Sequence, residues 1–400
     1  MTLPGRKRGL ARLSKVLIIL TLVFILPSKD LEKEKKRVKR RARWEIGSVY
    51  IRPFIDLRNL GYDYNIYTAQ GNVGDWFMNV GTGIEASLLR PRFLLAMSIA
   101  PNFLGFLHHP SENFVNTDLK GEFATRIWKV HLFVDYKKFK RKQRPPYEMA
   151  PRIITGYEGF SLSAYISPNF PLSMGLIFKR ENFSYKRPQT NFHFFSPDRI
   201  ETYYIFSLKR KIFTATHVSV EVGFRRTNFK KDPEHRDAFH RWFSLGVELP
   251  DFGIIRGSFD VGHKEIFPLR SGTFHFKGLY GKGNILADLN IVFFSVLYTL
   301  DWNYSPYFGE IVRVEYVRAG AGLRLAGRRI KIRARRGWGK LTFPFMDRID
   351  RIESYEGDFL IRIRPETYVG LGYSRMEATS VVPAWTRKLE TIGGIIEYGF

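Results

Sequence analysis

The sequence predicts an all-β fold, a transmembrane antiparallel up-and-down β-barrel of about 18 strands (16 to 20) with short periplasmic turns and long outer loops. Three observations predict it. Apolar and polar residues alternate from Ser48 onward, the links between strands alternate between short and long, and the last strand ends on Phe400. A period of two is typical of strands with one apolar face.

Residues 1–28 are predicted to be a signal peptide. Basic residues from Arg6 to Lys15 precede an apolar run, Val16 to Leu26, and Pro27 and Ser28 follow. A basic segment before an apolar run of this length is typical of secretory signals, and the run is short for a membrane-spanning helix. An uncleaved anchor is the alternative.

Residues 29–46 are predicted to be a charged, disordered periplasmic segment. The run from Asp30 to Arg43 contains almost nothing to bury, and such segments are usually solvated. Contact with anionic lipid or peptidoglycan is the alternative.

Residues 47–400 are predicted to form the barrel. In the first strand, Val49, Ile51, Pro53, Ile55 and Leu57 share one face. Paired segments with the same alternation recur through residues 76–103, 119–136, 160–178, 204–224, 243–261, 279–302, 317–338 and 355–373, and a final strand follows.

The links favour a transmembrane barrel over a soluble sandwich or propeller, which periodicity alone leaves open. Transmembrane barrels have an even number of strands, short periplasmic turns and longer outer loops. A sheet in lipid can satisfy its backbone groups only by closing on itself. The cell outer membrane, reached through the periplasm, is therefore the expected location. The longer links span residues 59–74, 107–116, 138–151, 186–198, 228–237, 265–271, 305–310, 342–350 and 377–387.

The C-terminal strand has a second interpretation besides that of an ordinary last strand. Ile396, Tyr398 and Phe400 lie on one apolar face, and the chain stops on the aromatic residue. This pattern resembles the C-terminal insertion signal of bacterial outer-membrane barrels. The resemblance implies recognition by the barrel assembly machinery, with outer-membrane lipid and lipopolysaccharide as further partners.

Composition bears on function. The formal net charge is +26, but the basic residues follow no nucleic-acid recognition pattern, and a signal peptide would remove the chain from the cytoplasm. The chain contains no Cys, its nine His residues fall in no metal spacing, and no short motif marks a nucleophile. We therefore expect no enzyme activity, no cofactor and no nucleic-acid partner.

One set of lumen-facing residues is informative. Positive charge is densest on three consecutive predicted strands, and a charged stripe in a pore selects ions of the opposite sign. Arginine also binds carboxylate or phosphate through two hydrogen bonds. The stripe is expected to favour anionic solutes or an acidic polysaccharide; neutralisation of wall carboxylates and binding of lipopolysaccharide phosphate are the alternatives. Its members are Arg318, Arg324, Lys331, Arg333, Arg335 and Arg362.

Two stretches carry a family resemblance. The segments GYDYNIY, Gly61 to Tyr67, and FKGLYGKGNILADLNI, from Phe276, together with the layout of residues 47 to 400, resemble a family of β-barrel porins of Gram-negative outer membranes. Members often accompany exopolysaccharide synthesis and export loci. The resemblance implies a porin-like channel that passes anionic solutes or serves polysaccharide export. The alternatives are a non-conducting structural or adhesive barrel and a lipid- or glycan-modifying enzyme.

Overall fold

The structure is a computed structural model that describes residues 31–66, 73–144, 151–166, 172–186, 196–213, 216–231, 236–249, 254–269, 275–327, 329–364, 367–381 and 386–398. It contains one α-helix, α1, and twenty strand segments within these ranges. The helix is Leu31–Arg41. None of the described helices is long and apolar enough to cross a membrane.

The strand segments follow the predicted alternation closely. Most contain 12 to 17 residues, which is ample for a tilted strand that crosses a bilayer. The bounds are β1 Trp44–Ile46, β2 Val49–Asp63, β3 Asp75–Leu89, β4 Phe93–Ile99, β5 Asn102–Phe106, β6 Phe114–Ile127, β7 Val130–Gln143, β8 Ile153–Ile166, β9 Leu172–Lys186, β10 Arg199–Lys211, β11 His217–Phe229, β12 Ala238–Leu249, β13 Ile255–Pro268, β14 Phe276–Asp288, β15 Val292–Tyr304, β16 Ile311–Leu325, β17 Ile330–Phe343, β18 Arg348–Arg364, β19 Thr367–Ser380 and β20 Arg387–Tyr398.

These segments form one closed antiparallel barrel of 18 strands, and the predicted fold class is confirmed. Every neighbouring pair is antiparallel, and β2 pairs with β20 to close the ring. Two segments share one strand, because β4 and β5 both lie between β3 and β6. The three-residue β1 pairs only with the start of β2 and adds no strand to the wall.

The links alternate in length as predicted, with one exception. The turns after β3 and β6 contain three and two residues, whereas the link from β9 to β10 runs through residues 187–198. The exception is the predicted long link at 342–350. Here β17 and β18 extend to Phe343 and Arg348, so only a four-residue 3₁₀ turn remains between them.

The outer face of the wall is apolar. Trp76, Leu245, Leu279 and Leu371 are all 49% or more exposed, as expected for side chains that face lipid. The strand register places their neighbours along each strand on the inner face. The barrel therefore has a dry outside and a polar, charged inside.

Two tryptophans, Trp242 on β12 and Trp302 on β15, lie on the inner side of the wall and not on its outer face. Trp242 donates a hydrogen bond to Glu221 at 2.7 Å and lies over Gly223, which leaves room for the indole. Trp302 is buried in an apolar cluster with Phe229 and Tyr304.

Within the segment predicted to be solvated and disordered, the described residues 31–46 contain a helix and a short strand. Residues 31–41 form α1, stabilised by ion pairs from Lys35 to Glu32 at 2.8 Å and from Arg37 to Glu34 at 2.9 Å. The acidic residues lie in its first turn and the basic residues in its last, which suits the helix dipole. The next segment continues into β1.

Closure of the barrel depends on two facing glycines. Gly61 of β2 pairs with Gly393 of β20, and only four residue pairs form the described ladder between these strands. A Cβ atom on Gly61 would lie 2.6 Å from the Cα of Gly393 and would also meet the carbonyl oxygen of Ile392. Backbone atoms cannot yield as a flexible side chain can, so the seam requires glycine at this position.

We expect Gly61→Val to weaken closure. Overpacking costs roughly 1 to 3 kcal/mol, and the seam has few backbone pairs to absorb it. The urea midpoint for loss of heat-modifiable gel migration should fall. Gly121→Val is the matched control, because a Cβ on Gly121 meets only Tyr136 Cβ at 3.9 Å. Equal midpoints for the two variants would contradict the role of the glycine seam.

Candidate functional site in the barrel lumen

The structure places the predicted basic stripe on the inner wall. Arg318 and Arg324 lie on β16, three members lie on β17, and Arg362 lies on β18. The strand register places them on one continuous surface. Arg324 is opposite Lys331, and Arg333 and Arg335 follow at every second position of β17. The alternation therefore predicted their common face correctly; the role assigned to the stripe stays a prediction.

Wall carboxylates pair with much of the stripe. Arg318 lies 3.2 Å from Glu356, and Arg335 reaches both Glu356 at 3.1 Å and Asp358 at 2.9 Å. Arg333 pairs with Asp358 at 2.9 Å. These four contacts fix the side chains across β16, β17 and β18. The expectation that many lumen charges pair and stiffen the wall agrees with this geometry.

The pairing leaves a positive excess. The stripe has six cations, and the carboxylates on the same three strands that are seen in ion pairs with them are Glu356 and Asp358. Arg324 takes its partner, Asp288 at 2.6 Å, from β14. Arg362 donates to the carbonyl oxygen of Gly327 at 3.3 Å, which neutralises nothing. The stripe therefore keeps net positive charge although several of its members are in ion pairs.

A cavity lies against the stripe. It is lined by Arg335, Glu356 and Asp358 on one side and by Phe77 on the other. The wall between them consists of small side chains, because the inner positions of β19 and β20 there are Gly372, Ser374, Thr391 and Gly393. The paired charges therefore border open space, where a solute could approach them.

The outer half of the lumen is crossed by the link between β15 and β16. Phe308 and Tyr307 in this link are 0% and 2% exposed. They belong to one apolar cluster that includes Phe343 of β17 and Ile153 of β8. These two strands are nine positions apart in a ring of 18, so the link reaches the opposite wall. We call residues 305–310 the crossing segment.

The crossing segment is held by its own turn and by an arginine. Ser305 Oγ accepts the backbone N–H of Phe308 at 2.7 Å, and Gly309 adopts a positive φ of 75°. Arg236 donates to the carbonyl oxygen of Gly309 and, at 3.0 Å, to that of Ser196. Sequence reasoning treated these residues as an ordinary outer loop. The available signal was the pair of aromatic residues between Pro306 and Gly309.

A buried ion network lies beneath the crossing segment. Arg199 donates to Glu201 at 2.6 Å, and Arg225 contacts the other oxygen of Glu201 at 3.4 Å. Arg225 also donates to Nδ1 of His240 at 2.7 Å. Arginine can only donate, so His240 Nδ1 accepts and the imidazole is neutral. Pairing of this kind is what permits charges at near-zero exposure.

A second group of buried ion pairs, centred on Asp63, lies at the outer end of the barrel beside β2. Asp63, which is 1% exposed, accepts from Arg144 at 3.0 Å and from Arg152 at 2.5 Å. Burial lowers the pKa of Arg144 to about 10, so the guanidinium remains charged at neutral pH. The link between β7 and β8 is thereby tied across to the link after β2.

No group of three metal-ligating side chains comes together in the described residues. The rings of His108 and His109 instead contact Asp75 at 2.8 and 2.9 Å, and their backbone N–H groups donate to the same carboxylate. Glu112 of that loop pairs with Lys142 at 3.0 Å. The loop histidines are therefore part of a structural turn.

The predicted insertion signal is only partly within the described residues. Ile396 lies in β20 opposite Val369, on the outward-facing side of the strand, and the backbone of Tyr398 pairs with Thr367. Phe400 lies outside the described residues. Its function as a signal stays a prediction.

A closed 18-strand barrel with an apolar outside and a charged lumen has the architecture of a transmembrane β-barrel. No protein-family model and no curated protein sequence matches the chain. Solved structures do resemble it in fold. Pseudomonas aeruginosa OpdK with vanillate is 10% identical with a TM-score of 0.51, covering 86% of this chain and 98% of that chain.

Two further structures are similar to the same extent. Pseudomonas aeruginosa OccK2 (OpdF) in complex with glucuronate is 9% identical with a TM-score of 0.53, covering 88% of this chain and 98% of that chain. A BenF-like porin from Pseudomonas fluorescens Pf-5 is 10% identical with a TM-score of 0.52, covering 87% and 98%. These likenesses establish the barrel fold and no more.

We expect Phe308→Ala to widen the lumen. Removing a fully buried aromatic costs ~3 to 5 kcal/mol of packing, and it weakens the contacts that hold the crossing segment against Phe343 and Ile153. Single-channel conductance should rise, with heat-modifiable migration retained. Phe345→Ala is the control, since Phe345 is 44% exposed. If Phe308→Ala folds and conducts with unchanged conductance, the crossing segment does not obstruct the lumen.

Proposed function

We propose that the protein is an outer-membrane, porin-like channel for small anionic solutes, with carboxylates as the favoured class. The observation that carries the proposal is the net positive stripe beside a cavity inside a closed barrel of 18 strands. Barrels of ~16 to 18 strands are wide enough for an aqueous lumen. The wall is rigid there, because ion pairs fix Arg318, Arg333 and Arg335.

The chemistry of the stripe suits a carboxylate. An arginine that already shares a carboxylate with a neighbour keeps further N–H donors in its planar fork. When a passing anion binds Arg335, Glu356 is still paired with Arg318 and Asp358 with Arg333, so no wall carboxylate loses its last partner. Such exchange of partners at Arg335 makes binding weak enough for release, which conduction requires. The solved neighbours include complexes with vanillate and glucuronate, both carboxylates, which supports the same class here.

A non-conducting structural barrel is the second candidate, and one observation favours it. The crossing segment joins opposite walls through buried contacts of Phe308 and Ile153. A lumen packed in this way over its whole width would pass no current. The cavity beside the stripe favours the channel over this alternative.

Polysaccharide export follows only from the family resemblance. An extended polymer chain would have to pass the crossing segment, which Arg236 and the aromatic cluster hold in place. Passage of small solutes needs no such displacement. Export is therefore the weaker form of the proposal.

We expect Arg335→Gln to reduce anion preference. The change removes one lumen charge, while Glu356 keeps Arg318 and Asp358 keeps Arg333 as partners. The zero-current potential in a salt gradient should therefore move toward cations by at least several millivolts, on the order expected for loss of one charge in a pore. The measurement is made on single channels in a planar bilayer.

Arg336→Gln is the matched control for this experiment. Arg336 is the next residue of β17, faces outward, and lies 3.5 Å from Glu353 on the same outer face. It should leave the zero-current potential unchanged. Identical shifts for the two variants, or cation preference in the unsubstituted protein, would count against selection by the stripe.

A further inference from the structure

The N-terminal helix α1 lies inside the barrel at the short-turn end. Its Leu31 is 3% exposed and shares an apolar cluster with Leu94, Phe133 and Tyr165. Val38 and Ala42 pack against the same cluster. The register of β4, β7 and β8 places the wall members of this cluster on inward-facing positions. The helix is therefore seated on the inner wall of the barrel.

A polar contact fixes the depth of the helix. Lys35 donates to the carbonyl oxygen of Pro91 at 2.6 Å. Pro91 belongs to the three-residue turn between β3 and β4, and turns of this kind lie on the periplasmic side of transmembrane barrels. The mouth that α1 occupies is thus the periplasmic one.

Outside its buried face, α1 is strongly basic, and Arg37 and Arg41 border a cavity between the helix and the wall. Arg37 pairs with Glu34 at 2.9 Å, and Lys39 lies 5.8 Å from the centroid of the Tyr50 ring. The remaining cations outside the buried face have no carboxylate partner in the described part of the chain. The exposed basic residues are Lys36, Arg37, Lys39, Arg40 and Arg41.

The dimensions favour a constriction over a complete plug. Eighteen strands spaced ~4.8 Å apart and tilted ~40° give a wall about 35 Å in diameter between backbones. A helix of 11 residues is about 16 Å long and roughly 10 to 12 Å across with its side chains. Such a helix, lying against one side of the mouth, narrows the passage without filling it.

We propose that α1 is the periplasmic selectivity element of the channel, a lumen-seated helix whose basic face presents the second concentration of positive charge that a passing anion meets. This inference rests on the proposed channel function. It assigns a role to Lys36, Arg37, Lys39, Arg40 and Arg41 that is separate from the stripe on β16 to β18. The two sets lie on different parts of the wall, since α1 packs against β4, β7 and β8, so a passing anion has cations on two sides of the lumen.

The absence of cysteine from the chain allows a direct test. In Arg40→Cys, the only thiol is modified during single-channel recording with a sulfonate-bearing methanethiosulfonate, and in separate channels with an ammonium-bearing one. The sulfonate should lower the chloride-to-potassium permeability ratio roughly twofold or more, because the change of charge lies within a Debye length of ~8 to 10 Å of the permeating ions. The ammonium reagent should restore the unsubstituted ratio.

Arg210→Cys is the matched control. Arg210 is an exposed cation near the same end of the barrel, but it lies on the outward-facing side of β10. Neither reagent should change the permeability ratio there. A sulfonate effect confined to Arg40→Cys supports the inference; no effect at Arg40→Cys in a conducting channel overturns it and leaves the proposed function intact.

Val38→Asp tests the seating of α1 independently, with Val38→Leu as its control. A carboxylate at this position opposes burial against Leu94, so the helix should leave the wall, conductance should rise and anion preference should fall. A folded, silent parent with a conducting Val38→Asp variant would make α1 a plug and would overturn its role as a selectivity element. Silence of both folded proteins would overturn the channel function and this inference together.

Discussion

A sheet that crosses lipid must satisfy every backbone N–H and C=O within itself, and the whole structure depends on this constraint. It forces the strands to close into a ring, and closure in turn creates a lumen. Where the ring closes, the described ladder between β2 and β20 contains only four residue pairs, one of which is Gly61 with Gly393. Closure of the 18-strand ring therefore depends on glycine at both positions.

Once the ring is closed, the inner face has a second constraint. Charges placed there face limited water, and most of them need partners. The outer half of the lumen meets this need almost completely, through Arg199, Glu201, Arg225 and the crossing segment. The stripe on β16 to β18 meets it only in part, because six cations share few carboxylates. Excess charge next to open space distinguishes a surface that can act on solutes from one that only holds the wall.

Much of the fold was predictable because a barrel strand has to alternate apolar and polar residues. The register of Arg318, Arg333 and Arg335 on one inner face followed from that period alone. The crossing segment could not be predicted in the same way, since its burial depends on Ile153 of the opposite wall. The alternation of apolar and polar residues predicts which face of a strand a residue occupies. It does not predict which residues of opposite walls come into contact, because that depends on how the ring closes.

The helix α1 illustrates the same limit with a missed signal. Leu31, Lys35, Val38 and Ala42 recur at helical spacing within a charge run, which gives one face that can be buried. The run was interpreted by its charge, and the spacing was overlooked. The inner wall of the barrel supplies the apolar partner that makes the helix stable there.

The measurement that tests the central claim most directly is the single-channel current of the refolded, full-length protein in a planar bilayer, with heat-modifiable migration as the folding control. The account predicts steady conductance with a zero-current potential on the anion side in a salt gradient. A folded barrel that passes no current, or one that prefers cations, would contradict it.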